Sequence, residues 1–165
     1  MIEYKNVLFC TDFSEDANIA FLHALDLVRK HGAKLHILHV PHSSYAYCRH
    51  IVDEHTPEGS PGGEAFYNEE IEKAAEAALK EAYGNKLADI KNVVFVVKNG
   101  SPDMEIIRYA KKHDIDVIVM GALGKAEQDR MVHGSTVANV SKYAHCHVIA
   151  IRNPAKQFTL PGSMS

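Results

Sequence analysis

Apolar residues in this chain fall into two kinds of segment, and the two kinds alternate. Short unbroken runs occupy residues 6–10 (NVLFC), 34–40 (KLHILHV), 92–98 (NVVFVVK), 116–120 (DVIVM) and 147–152 (HVIAIR). Their length and their Val and Ile content predict strands, and the continuous run at 92–98 suits a strand covered on both faces. The intervening segments carry apolar residues at helical spacing. Ala17, Ala20, Phe21, Ala24, Leu25 and Val28 define a helix over 15–31, with Ser14 as N-cap and Gly32 as its stop. Ile71, Ala75, Ala78, Leu79 and Ala82 form the stripe of a second helix from 64 to about 82, ending at Gly84-Asn85 or running on to about Ile90. Ser101, Pro102 and Asp103 are the start signal of a third helix, 102–113, which buries Ile106, Ile107 and Ala110. A fourth helix covers about 135–144.

Two stretches lack either period. Residues 41–63 hold Pro57, Pro61, Gly59, Gly62 and Gly63 and read as a long loop. Residues 154–165 read as a loose tail. That leaves 1–153 as one domain. Alternating strands and helices predict an α/β fold, an open doubly wound parallel sheet with helices on both faces.

Composition narrows the function classes. A net charge of −3 gives no electrostatic draw toward nucleic acid or an anionic membrane. No apolar run reaches the length of about 18 residues that a membrane span needs. The first residues, MIEYKNVLFCTDF, lack the pattern of a secretory signal, so a cytoplasmic location is expected. Cys10, Cys48 and Cys146 have no paired spacing and are expected to be reduced thiols.

The chemistry concentrates in residues 117–141, VIVMGALGKAEQDRMVHGSTVANVS. A buried strand ends at Met120, Gly121 and Gly124 follow, and Gly134, Ser135 and Thr136 open a helix. Glycines let backbone N–H groups approach an anion closely. A helix start adds unpaired N–H groups and a positive dipole end. The stretch is therefore a phosphate cradle. In a doubly wound sheet the ligand sits beyond the strand ends where strand order reverses, so Asp12 and Gly121 would converge if their strands are neighbours there. No P-loop, nucleophile elbow or zinc-protease motif is present, and neither His145 with His147 nor His36, His39 and His42 are assigned a metal.

Gly121, Gly124, Gly134 and Ser135 satisfy the pattern G-x2-G-x9-G-[ST], and VLFCTDFSEDANIAF supplies an apolar strand followed by Asp12 and a helix with Ala. In these features the chain resembles the ATP-binding branch of the universal stress protein family, over about residues 6–152. The resemblance implies a five-stranded parallel sheet in the order 3-2-1-4-5. It implies that Asp12 accepts from or lies beside adenine, and that Val40 offers backbone groups to the base. Met120 and Gly121 would line the base and ribose side, and Gly124, Gly134, Ser135 and Thr136 would hold phosphates. Lys125 and Arg130 are further candidates for phosphate contact. The implied ligand is ATP, ADP or AMP, with Mg²⁺ as an option, and the implied assembly is a homodimer through the last strand, 147–152. An unidentified protein partner would complete a regulatory role.

The chain departs from the family at Ala122 and Leu123, where a polar residue and His are frequent. It also has Cys10-Thr11 before Asp12, and Gln128 and His133 in the spacer. Two alternatives stay open. One is a slow ATPase or nucleotide-dependent transferase using Glu127, Asp129 or His133. The other is a structural dimer with an empty glycine loop.

Overall fold

The computed structural model describes residues 1–41, 63–122 and 135–155, with 63–68 and 135 described by their backbone alone. The strands are β1 (Asn6–Cys10), β2 (Lys34–His39), β3 (Val93–Val97), β4 (Val117–Gly121) and β5 (His147–Ile151). The helices among the described residues are α1 (Glu15–His31), α2 (Gly63–Tyr83), α3 (Pro102–Lys112) and α4 (Ser135–Tyr143), with a 3-10 turn at Gly84–Lys86. All strand pairs are parallel, and the order is β3-β2-β1-β4-β5. This is the expected α/β architecture and the expected strand order.

Strand residues alternate between two cores because successive side chains point to opposite faces. Val7 and Phe9 of β1, Leu35 and Ile37 of β2, and Val117 and Val119 of β4 pack with α1 and with Leu79 and Tyr83 of α2. Leu8, Cys10, Leu38, Ile118 and Met120 face the other way, onto Ile106, Tyr109 and Ala110 of α3 and Val140 of α4. β1 is the centre of the sheet, and Val7, Leu8 and Phe9 are all fully buried.

Local signals account for α1. Ser14 has extended backbone and its side chain accepts the Ala17 N–H, while Gly32 takes φ +63° at the C-terminus. Glu15 and Asp16 lie at the positive end of the dipole and Arg29, Lys30 and His31 at the negative end.

Several expectations are corrected. β3 is half-buried over Val93–Phe95 and Val96 rather than covered on both faces, because it is an edge strand paired to β2 alone. Of the two endings open to α2, the structure takes the earlier, stopping at Tyr83 just before Gly84-Asn85. Ser101 occupies the N-cap position of α3 but makes no capping bond, since its hydroxyl donates to the Asp103 carboxylate instead. β2 ends one residue short of Val40, and Gly121 belongs to β4 rather than to the loop.

Candidate functional site at the reversal of strand order

β1 and β4 are neighbours, with Cys10 opposite Met120. From β1 the chain crosses through α1 to β2 on one side, and from β4 it passes through α4 to β5 on the other. The strand order therefore reverses between them, and in doubly wound sheets that reversal is where ligands bind, beyond the carboxyl ends of the strands. Asp12 follows β1 and Gly121 ends β4 at these adjoining carboxyl ends, so the two segments singled out in the sequence converge.

The turn after β1 is set by its own side chains. Thr11 Oγ1 accepts the Phe13 amide at 3.0 Å, and Asp12 Oδ1 accepts the Ser14 amide at 3.0 Å. The second bond is an Asx-turn, a side-chain substitute for a backbone turn. Phe13 takes φ +63°. For a bulky residue such a conformation costs about 1–3 kcal/mol and needs support from its surroundings. Its ring lies 4.7 Å from the His39 ring and 6.3 Å from the Tyr83 ring, near-parallel to the latter at 15°.

Tyr83 and His39 also hold Thr11 directly. His39 Nδ1 lies 2.7 Å from the Thr11 carbonyl, and since a carbonyl only accepts, Nδ1 carries the proton. Burial holds the His39 imidazole below its ordinary pKa, against the raising influence of the Thr11 bond and the Asp12 charge. The Tyr83 hydroxyl donates to Asn18 Oδ1 at 3.1 Å and lies 2.6 Å from Thr11 Oγ1. The donors then run in one direction, from the Phe13 amide to Thr11 Oγ1, from Thr11 to Tyr83, and from Tyr83 to Asn18. Burial raises the Tyr83 phenol pKa, so it stays a donor across the physiological range.

On the β4 side the packing is tight. A Cβ on Gly121 would lie 2.8 Å from the Ala17 backbone nitrogen and 2.9 Å from Asp16 Cβ. The glycine is thus required by the close approach of β4 to the first turn of α1. Met120 and Val40 are both buried and share one apolar cluster with Cys10. Ser135 opens α4, and Thr136 is half-buried in its first turn. Asn139 fixes that helix to α3 by donating to Asp103 Oδ2 at 2.7 Å. Gly124, Lys125, Glu127, Asp129, Arg130, His133 and Gly134 lie outside the described residues.

A crevice of 370 Å³ lies at the opposite ends of β4 and β5, lined by Asp114, Ile115, Asp116, His145, Cys146 and His147. His145 and His147 are exposed there. Asp116 Oδ2 accepts the Lys5 and Asn6 amides at 2.7 and 2.8 Å, which ties the N-terminus to the sheet. Among the described residues no group of three or more His, Cys, Asp or Glu is arranged to hold a metal, and no helix is long and apolar enough to cross a membrane.

Sequence reasoning missed Thr11, Phe13, His39 and Tyr83 as parts of the site. Tyr83 carried one signal, its place four residues after Leu79 on the buried stripe of α2.

Residues 3–152 match the family model described as the universal stress protein family. The chain belongs to the universal stress protein family. Universal stress protein MJ0577 of Methanocaldococcus jannaschii is 31% identical over 162 residues, covering 92% of this chain and 96% of that protein. A solved structure of MJ0577 superposes with TM-score 0.73 at 24% identity, covering 94% of this chain and 100% of that one. A universal stress protein solved in complex with cAMP gives TM-score 0.59 at 20% identity, covering 91% of this chain and 98% of that one. An Arabidopsis thaliana member of the family, solved with AMP bound, gives TM-score 0.57 at 21% identity, covering 92% and 93%. At these identities the solved structures establish a shared universal stress protein fold.

Proposed function

We propose that this universal stress protein binds an adenine nucleotide, ATP or its ADP and AMP forms, and acts as a non-catalytic regulatory module of a stress response. The observation that carries the reading is that the ends of β1 and β4, which lead to Asp12 and Gly121, adjoin at the strand-order reversal, in a chain that keeps the spacing Gly121, Gly124, Gly134, Ser135. Relatives solved with AMP and with cAMP support the choice of an adenine nucleotide. In this reading Asp12 meets the base and Val40 offers backbone groups to it. Met120 and Gly121 line the base and ribose side. Gly124, Gly134, Ser135 and Thr136 hold phosphates, with Lys125 and Arg130 adding positive charge and Mg²⁺ as an accompanying ion.

The energetics are adequate. A hydrogen bond to a charged group contributes about 1.5–3 kcal/mol net. A few such bonds reach the roughly 8 kcal/mol of micromolar affinity. Bound phosphates would stabilise the segment between Gly124 and Gly134 and so bias a surface read by a partner protein. The unit is the domain of residues 1–153, in the cytoplasm.

The same reading includes a homodimer through β5. That strand is an edge with Ile149 and Ile151 only partly covered, and an uncovered apolar edge favours pairing with a second copy. Sedimentation equilibrium at tens of micromolar should give the dimer mass, and a monomer at that concentration would remove this part. For the ligand, native mass spectrometry of freshly purified protein should show the added mass of an adenine nucleotide, lost on denaturation. Protein that carries none and takes up none on incubation with ATP would contradict the reading.

A further inference from the structure

Asp12 lies two residues beyond the end of β1, and Thr11 between them still reaches the sheet through its amide, which donates to the Leu38 carbonyl of β2 at 3.0 Å. The Asp12 carboxylate accepts the Ser14 amide at 3.0 Å, and Asp12 is flanked by Thr11 before it and Phe13 after it. Both of those are gripped from outside the turn. Thr11 is held through its carbonyl by His39 at 2.7 Å and through its hydroxyl by Tyr83 at 2.6 Å. Phe13, at φ +63°, is packed against the rings of the same two residues. β2 and α2 thus each send one side chain to both flanks of Asp12.

We infer that His39 and Tyr83 are positioning residues of the nucleotide site, acting together as a clamp that fixes the turn bearing Asp12. The inference deepens the proposed nucleotide reading and rests on it for its ligand, although the clamp itself is a property of the protein alone. A turn with one residue in the left-handed region relaxes once its support is removed. Asp12 would then sample orientations that do not meet the base, and binding would weaken by the fraction of time spent in them. The clamp also connects the pocket to the end of α2. Any partner or ligand that shifts Tyr83 would change nucleotide affinity without touching the nucleotide.

The donor role of His39 separates positioning from mere filling of space. Nδ1–H donates to Thr11, and protonation of the other ring nitrogen leaves that donor in place. An asparagine amide can supply a similar donor from the same strand position, whereas leucine fills the space with no donor. Tyr83→Phe keeps the ring against Phe13 and removes only the hydroxyl that holds Thr11.

The test uses the full chain, with ATP and AMP as probes in calorimetry and with amide hydrogen exchange of Phe13 and Ser14 in the protein without nucleotide. His39→Leu and Tyr83→Phe should each weaken ATP and AMP binding by about tenfold and lower the protection of those two amides. His39→Asn should restore both readouts to within about threefold of wild type. Wild-type affinity and protection in both His39→Leu and Tyr83→Phe would overturn the clamp. Failure of His39→Asn to restore protection lost in a folded His39→Leu would also overturn it, by reducing His39 to a packing role. If wild type binds neither nucleotide while amide protection follows the pattern above, the nucleotide reading fails and the clamp stands.

Discussion

Gly121 at the end of β4 meets Ala17 in the first turn of α1 so closely that a Cβ on the glycine would lie 2.8 Å from the Ala17 backbone nitrogen. Backbone atoms cannot give way as a flexible side chain can. Gly121→Ala should therefore destabilise the protein by about 1–3 kcal/mol, the usual cost of overpacking. Thermal unfolding checks this, with a fall in Tm of roughly 2–4 °C per kcal/mol for a chain of this size. The result bears on function because a Gly121 variant that loses nucleotide would do so through a displaced α1. Gly124→Val is the complementary variant, expected to abolish nucleotide binding and to leave the Tm within a few degrees of wild type.

Gly32 poses the opposite case. It ends α1 at φ +63°, with open space around the position a Cβ would take. Gly32→Ala should cost about 1 kcal/mol through backbone conformation alone. Urea unfolding should show a lowered midpoint at an unchanged m-value.

His36 predicts an acid-sensitive stability. It is 3% exposed, its Nδ1 lies 2.8 Å from the Tyr109 hydroxyl, and its Nε2 has no hydrogen-bond partner among the described residues. Burial pushes its pKa down from 6.5 to about 4, with the Lys34 and His113 charges adding to the shift. The folded state thus binds the proton more weakly than the unfolded chain. Its contribution is intact above pH 6.5 and is lost as pH falls through about 4, on the order of 3 kcal/mol in all. Unfolding free energies measured from pH 7 to 4.5 should fall more steeply in wild type than in His36→Leu. Equal slopes would contradict the assignment.

Much of the fold was legible because its signals are local. The limits of α1 followed from Ser14, Gly32 and six apolar positions, and the structure places the helix at Glu15–His31. Strand positions followed from unbroken Val and Ile runs, and the strand order from the resemblance that the glycine spacing and Asp12 carried. What escaped was tertiary. Nothing near Thr11 in sequence announces Tyr83, which is 72 positions away and buried in the core beneath α1 and α2. The left-handed turn at Phe13 was hidden because that conformation is rare for an aromatic residue and is stabilised by rings from β2 and α2. Gly121 was read as a loop glycine for an anion, whereas its first requirement is the approach of α1. The half-buried β3 was misread because an apolar run does not reveal whether a strand lies at the centre or the edge.

The central claim is that an adenine nucleotide binds at the adjoining ends of β1 and β4, beside Asp12 and Gly121. Isothermal titration of the full chain with ATP and with AMP, beside Asp12→Asn, tests it most directly. The asparagine keeps the oxygen that accepts the Ser14 amide at 3.0 Å and so preserves the turn. Wild type should bind with micromolar affinity, and Asp12→Asn should bind about tenfold more weakly at an unchanged Tm. Folded wild-type protein that gives no binding heat at millimolar ATP or AMP, and no shift in Tm with either, would contradict the account.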